Sequence, residues 1–328
     1  MGLWLISTDT LANSRFVISP LTETIAALRA LVRGVPHHPG ERAWLDAHLP
    51  AYRAHLAAAP LTAQIIDAAF GPAWTADYLT PAPDPAGKST FEEELTELLA
   101  TPAAAARADL TVSLGGPLPP ELDRDDLAER TADLLHWVWT HTVRPDWDRR
   151  RRILEADIAA RTAQLGRSGW SAALDGLRPG MRWLGDGRLR INAYDYPPRQ
   201  LDATQLLFVP VTMKGAWVAW RPDGSRHAVV YTCSGVLAEA DRARVPEALG
   251  ALLGPARARV LVLLDSPKST TQLVALTGQG LGSVGRHLKV LLDAGLAVRR
   301  RSARSVLYFR SAAGEVLVSA AAGQDGKA

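Results

Sequence analysis

The segment from Gly254 to Arg310 constrains this chain more than any other, because patterns of two different periods follow one another in a single short run. Pro255 stands where the first residue of a helix has no use for an N–H. Val260, Leu261, Leu263 and Leu264 then give the apolar stripe of a short core-facing helix, with Arg257 and Arg259 on or beside its other face. The Ser/Thr cluster that follows supplies N-cap oxygens for a second helix, Thr271–Gly278, whose inner side is Leu273, Val274 and Leu276. Gly278 ends it in a left-handed conformation. A third helix, Leu281–Ala294, carries Val284, Leu288 and Leu291 at i, i+4 and i+7, one buried stripe that turns Ser283, Arg286, Lys289 and, at the flank, His287 outward. Past Gly295 two β-prone runs, within Ala297–Arg310, flank a short polar turn and read as a hairpin rich in arginine.

Two helices joined by a tight turn and followed by a charged ribbon are the plan of a winged helix-turn-helix, a module that binds duplex DNA. In that plan the second helix of the pair lies in the major groove with its N-terminal residues near base edges. Arginine suits guanine there because its planar fork donates two bonds at once to O6 and N7, and the ribbon tracks phosphates. The candidate DNA-binding residues are therefore Thr271, Ser283, Arg286, His287 and Lys289 on the helices and Arg299, Arg300, Arg301 and Arg304 on the ribbon. Charge points the same way. Ten lysines and arginines in this segment face only Asp265 and Asp293, which leaves it at +8 while the whole chain is +3. Localised basicity of that kind is the footprint of a surface for a polyanion.

The run Val284…Arg286-His287-Leu288-Lys289-Val290-Leu291…Asp293-Ala294-Gly295-Leu296, with the arginine-rich ribbon and Val306-Leu307-Tyr308 after it, resembles the winged-helix domain of the ArsR/SmtB-like bacterial repressors. It departs from their pattern at Gly280, where a capping side chain is usual, and at Gly285, often a serine. Farther upstream, Arg15-Phe16-Val17-Ile18-Ser19-Pro20-Leu21…Glu23, the arginine-rich helix with Asp157, Leu206-Leu207-Phe208-Val209-Pro210 and Tyr231…Gly235 are similar to a subfamily of such regulators with a long N-terminal domain of undefined role. The resemblance implies a homodimeric transcriptional regulator, most often a repressor.

The expected fold class is α+β: a mostly helical N-terminal domain with a small antiparallel sheet, then the winged helix-turn-helix. Boundaries are expected at 1–236 for the dimerising and effector-sensing domain, 237–312 for the DNA-binding domain and 313–328 for a tail. Ser19-Pro20 reads as an N-cap with proline at the first helical position, and Leu21, Ile25, Leu28 and Val32 continue one face to Gly34. Helices are expected at 41–48, 51–58, 62–70, 91–100, 103–110, 125–143 and 146–165. The last of these carries four adjacent arginines, Arg149 to Arg152, read as a solvated run paired with Asp148, Glu155 and Asp157, with phosphate binding as the alternative. Strands follow at 188–193, 206–213, 216–220 and 227–232, the last two joined through Pro222-Asp223-Gly224 as an antiparallel hairpin.

Little catalytic chemistry is legible. Gly280-Leu281-Gly282-Ser283-Val284-Gly285 fits a dinucleotide fingerprint, but the residues before it read as helix rather than strand. The single cysteine, Cys233, allows neither an intrachain disulfide nor a cysteine zinc cage. The histidines form no H-E-x-x-H, and His37-His38 is a bare loop pair, so no metal or cofactor is expected. No apolar run approaches the ~20 residues that span a bilayer, and the start is not a secretory leader, so no membrane partner and a cytoplasmic location are expected. All ten tryptophans precede the DNA module. Trp137, Trp139, Trp183, Trp217 and Trp220 are the candidates for lining a small-molecule effector pocket, since aromatic side chains line such pockets; ordinary cores and a dimer interface are the other places such tryptophans serve. Two readings stay open beside the regulator: a small-molecule-modifying enzyme with a DNA tether, and a DNA-binding architectural protein without effector.

Overall fold

In the computed structural model the described residues are all but 1, 37–38, 73, 175–176, 179, 193–196, 203, 234–244, 265–267, 303–304 and 323–328. The chain divides into two compact units: Met1–His37, Glu41–Asp148 and Ser168–Cys233 form the first, and His38–Gly40, Arg149–Arg167 and Ser234–Ala328 the second.

The first unit opens with β1 (Leu3–Ile6), α1 (Thr8–Ala12) and β2 (Arg15–Phe16), followed by α2 (Pro20–Arg33). The α2 helix starts as its sequence dictates. The Ser19 hydroxyl accepts from the Thr22 N–H, Pro20 takes the first turn, and Gly34 closes the helix at φ 63. Eleven of its residues are buried, Glu23 among them, whose carboxylate accepts hydrogen bonds from the backbone N–H and the hydroxyl of Thr212. Helices α3 (Pro39–Ala57), α4 (Pro60–Ala69), α5 (Phe91–Leu99), α6 (Ala103–Leu114) and α7 (Leu127–Val138) follow, and α7 runs on into a π turn over Trp139–Val143. The two helices expected at 41–48 and 51–58 are one, with Pro50 inside it; a proline removes one ladder bond but does not by itself force two segments.

Next in the chain comes α8 (Trp147–Leu174), whose stretch Arg149–Arg167 belongs to the second unit and whose backbone leaves the helical range at Gly169 (φ 71, ψ 179). The arginine run near its start is not uniformly solvated. Arg151 is exposed and pairs with Glu155 at 3.0 Å, whereas Arg150 is fully buried. Consecutive helical residues point about 100° apart, so adjacent arginines must divide between faces.

Six strands complete the first unit: β3 (Arg182–Trp183), β4 (Arg188–Arg190), β5 (Arg199–Leu201), β6 (Gln205–Val211), β7 (Trp217–Trp220) and β8 (Arg226–Thr232). They form two four-stranded sheets, ordered β3-β4-β1-β5 and β2-β6-β8-β7. The hairpin expected from Pro222-Asp223-Gly224 is present, with Trp217 opposite Val230 and Trp220 opposite His227. The sheets as wholes are mixed rather than antiparallel. β6 runs parallel to β8, β2 parallel to β6, and β1 parallel to β5. Leu206, Phe208, Val229 and Tyr231 build the core beneath them with Trp4, Ile6 and Leu189.

The second unit contains α9 (Glu247–Leu253), α10 (Pro255–Leu263), β9 (Lys268–Ser269), α11 (Thr270–Thr277), α12 (Leu281–Asp293), β10 (Ala297–Ser302), β11 (Ser305–Arg310) and α13 (Ala312–Ala322). Its sheet is ordered β10-β11-β9. The α13 helix lies in what the sequence reading leaves as tail, and it packs its Leu317, Val318 and Ala321 on the unit's core. Past β8 the first described helix begins at Glu247, and residues 234–244 lie outside the described residues. Among the described residues no helix is long and apolar enough to cross a membrane.

Candidate nucleic-acid interface

The geometry of the second unit follows from its core. Val284, Leu288 and Leu291 of α12 are buried with Leu261 of α10 and Leu273 of α11. Burying one stripe of α12 commits the opposite side to solvent. Arg286 and Lys289 are exposed there, while Ser283 and His287 are half-buried at its edge.

The turn that sets α12 against α11 is built from local chemistry. The Ser269 hydroxyl accepts from the Gln272 N–H and the Gln272 side chain accepts in return from the Ser269 N–H at 2.8 Å, a capping box at the start of α11. Gly278 ends α11 at φ 70, a conformation that favours glycine. Gly280 then caps α12 with extended backbone and no side-chain hydrogen bond. Leaving the first N–H groups of α12 without a side-chain acceptor keeps their partial positive charge at that end of the helix.

Around that end the polar groups are linked. The Ser283 hydroxyl donates to Gln279 Oε1 at 3.2 Å and lies 3.4 Å from His287 Nε2. Burial, and then the guanidiniums of Arg257 and Arg286, hold His287 below the usual imidazole range. It is therefore neutral near pH 7 and offers one donor and one acceptor. Thr271, at the second position of α11, is exposed.

The wing is a regular antiparallel ladder from Ala297↔Arg310 to Ser302↔Ser305, and β9 adds a short third strand through Leu307↔Ser269 and Tyr308↔Lys268. Successive strand residues alternate faces, so Arg299 and Arg300 reach solvent on opposite sides of the ribbon, and both are exposed. Arg301 lies in β10 opposite Val306. Arg304 lies outside the described residues.

One feature of the recognition surface was visible only as a departure from pattern in the sequence. An added Cβ at Gly282 or Gly285 meets nothing within 4 Å. Neither glycine is demanded by packing or by a positive φ. Glycine within a helix costs roughly 1 kcal/mol relative to alanine, so Gly285→Ala is expected to stabilise the protein by about 0.4–1 kcal/mol in urea unfolding followed by far-UV circular dichroism. A loss of stability instead would show that this face is packed in solution.

Residues 254–298 match the family described as bacterial regulatory protein, arsR family. With the helices, turn and wing in place, the C-terminal region has the build of a winged helix-turn-helix DNA-binding module and is similar to that family of transcription regulators. The match ends one residue after β10 begins, so the wing arginines are assigned to the surface by the ladder that carries them. No curated protein and no solved structure matches the chain.

The tryptophans of the first unit are distributed between core and cavity. Trp139 is buried and stacks on Phe91 with centroids 4.8 Å apart. Trp137 stacks between His55 and His141, each at 4.6 Å. Trp217 is buried beneath the guanidinium of Arg29, and Trp183 packs on the core under β1 and β4. Of the five candidates only Trp220 lines the cavity that Trp4, Trp74 and Asp77 border in this unit; the spacing of tryptophans in the sequence did not single out Trp4 or Trp74. Among the described residues no group of three or more His, Cys, Asp or Glu is arranged to hold a metal ion; His37 and His38 lie outside them.

Proposed function

We propose that the protein is a homodimeric transcriptional repressor whose DNA affinity is set by a small aromatic ligand of the first unit. The observation that carries the DNA-binding half of this reading is the outward face of α12: Arg286 and Lys289 exposed, Ser283 and His287 beside them, and the Val284-Leu288-Leu291 stripe locked in the core behind. Arg286 and the Ser283–His287 pair would read base edges, Thr271 and Lys289 would flank them, and Arg299, Arg300, Arg301 and Arg304 would hold the backbone.

A single module of this size covers one half-site. Two, related by a twofold axis, reach successive major grooves about 34 Å apart. Support for self-association comes from α9 and α13, which pack on each other and expose Leu252 (66%) and Val316 (69%). Large apolar side chains left outside on adjacent helices are a natural contact between copies. Release by a ligand is within reach of a small cavity: a hundredfold loss of operator affinity requires about 2.7 kcal/mol of differential binding between two states.

The test begins with duplexes selected from a random library by the full-length protein. An imperfect palindrome bound by two chains is the expected product. The double variant Leu252→Glu/Val316→Glu should sediment as a monomer and bind the selected palindrome at least 100-fold more weakly. Failure of any sequence to enrich over the starting library would replace the repressor by an architectural DNA-binding protein. A variant that stays dimeric would move the self-association surface elsewhere.

A further inference from the structure

The first unit carries a cleft, open on one side, of about 710 Å³, within the roughly 300–1,000 Å³ common for small-molecule sites. Its walls are brought together from distant parts of the sequence: Trp4 of β1, Trp74 and Asp77 from the connection between α4 and α5, Arg199 of β5, and Val218 and Trp220 of β7. Trp74 and Trp220 meet at 45° with centroids 6.0 Å apart, so their indoles form a corner. The guanidinium of Arg199 lies over the Trp220 ring, 4.1 Å from its centroid. The lining is thus mostly apolar and aromatic, with one acid and one base.

The electrostatics of that acid decide what the cavity lacks. The Asp77 carboxylate accepts a hydrogen bond from Trp74 Nε1–H at 2.9 Å. Burial pushes its pKa up to about 6, and the neighbouring carboxylate of Asp109 adds to the rise more than Arg199 opposes it. His227, edge-on to Trp4 at 5.6 Å, supplies no positive charge, because burial and then Arg199 lower its pKa to about 4. A cation added beside Asp77 offsets the repulsion between the Asp77 and Asp109 carboxylates. Indole faces attract cations as well.

We infer that this cavity takes a planar aromatic molecule carrying a protonated amine, its ring against Trp4, Trp74 and Trp220 and its ammonium on the Asp77 carboxylate. This gives a chemical class to the effector of the repressor, and it rests on the repressor reading only for its effect on DNA binding. No bond is made or broken. Trp220 connects the site directly to the β7–β8 hairpin, so occupancy acts on an element of the core sheet rather than on a loose loop.

Isothermal titration of the full-length protein at pH 7.5 tests the assignment, with tryptamine as the probe and indole and indole-3-acetate as controls. Tryptamine is expected to bind once per chain and at least tenfold more tightly than indole-3-acetate. Asp77→Asn should weaken tryptamine tenfold or more and leave indole within about twofold. Lowering the pH to 5 should weaken tryptamine in the wild-type protein, as Asp77 takes up its proton, and leave Asp77→Asn unaffected. Val112, exposed on α6 at the cavity wall, offers a blocking variant with little risk to the fold; Val112→Trp should abolish binding of both tryptamine and indole. Tighter binding of indole-3-acetate, no binding by any of the three, or indifference to Val112→Trp would overturn the proposal. Tryptamine binding that leaves affinity for the selected duplex unchanged keeps the cavity assignment and removes the effector from the repressor. Loss of specific DNA binding altogether would sink the repressor while leaving the titration result intact.

Discussion

Replacing Leu288 by alanine is expected to destabilise the C-terminal module by roughly 2–5 kcal/mol, the range for a buried leucine whose surroundings relax only in part. Leu288 is 2% exposed and lies between Val284 and Leu291 on the buried stripe of α12, in the cluster that also holds Leu261 and Leu273. Three helices meet in that cluster, so the lost volume is shared among elements that cannot all move inward. Tryptophan fluorescence is blind to the event, because all ten tryptophans precede the module. Amide hydrogen exchange reports it directly. The slowest amides of α12 should exchange about 30-fold to a few thousand-fold faster, each tenfold corresponding to about 1.4 kcal/mol. Lys289→Ala, one position on and exposed, should change the same amides by less than about 0.5 kcal/mol. Equal effects of the two substitutions would mean that α12 does not present the face described above, and the assignment of Arg286 would go with it.

Much of this module was legible because its signals are local. Pro255 opens α10, Ser269 and Gln272 cap α11, Gly278 ends it, and the i, i+4, i+7 leucine and valine stripe orients α12; each is readable within a few residues. The parts that were not legible depend on distant partners. Strand β9 is two residues long and exists only because Leu307 and Tyr308 come alongside it, which also buries Lys268, a residue that reads in sequence as one more solvated charge. The α13 helix follows a turn and carries Gly314, which lowers its intrinsic propensity. The reason for that glycine is tertiary: a Cβ there would stand 2.1 Å from the Leu296 carbonyl oxygen.

The first unit shows the same division. The β7–β8 hairpin was readable from its turn, whereas the parallel pairing of β6 with β8 and of β1 with β5 leaves no mark in the segments that join them. The cavity was the least legible feature. Tryptophans spaced closely in sequence, such as Trp137 and Trp139, point in different directions on one helical stretch and stack on separate partners. The three that share a cavity are separated by whole elements, and only the folded sheet and the connection after α4 bring them together.

Arg286→Ala is expected to weaken binding to the selected palindrome by about 1–3 kcal/mol per half-site and to flatten the base preference at one position, since a bidentate arginine–guanine contact discriminates by that amount. The side chain projects from the face of α12 opposite the buried stripe, within the first turns of the helix, where base edges are reached. Arg300→Ala is expected to behave differently. Arg300 sits on β10 opposite Leu307, exposed on the ribbon, and a ribbon arginine meets phosphate whatever the sequence. Its removal should lower affinity for selected and random duplexes alike and reduce the slope of log K against log salt by about 1. Measuring both variants by fluorescence anisotropy on both duplexes across a salt series separates the two roles in one experiment. Should Arg286→Ala cost as much on random DNA as on the palindrome, with a matching loss of salt slope, Arg286 grips the backbone, and base reading falls to Ser283 and His287 at the other edge of the same helix.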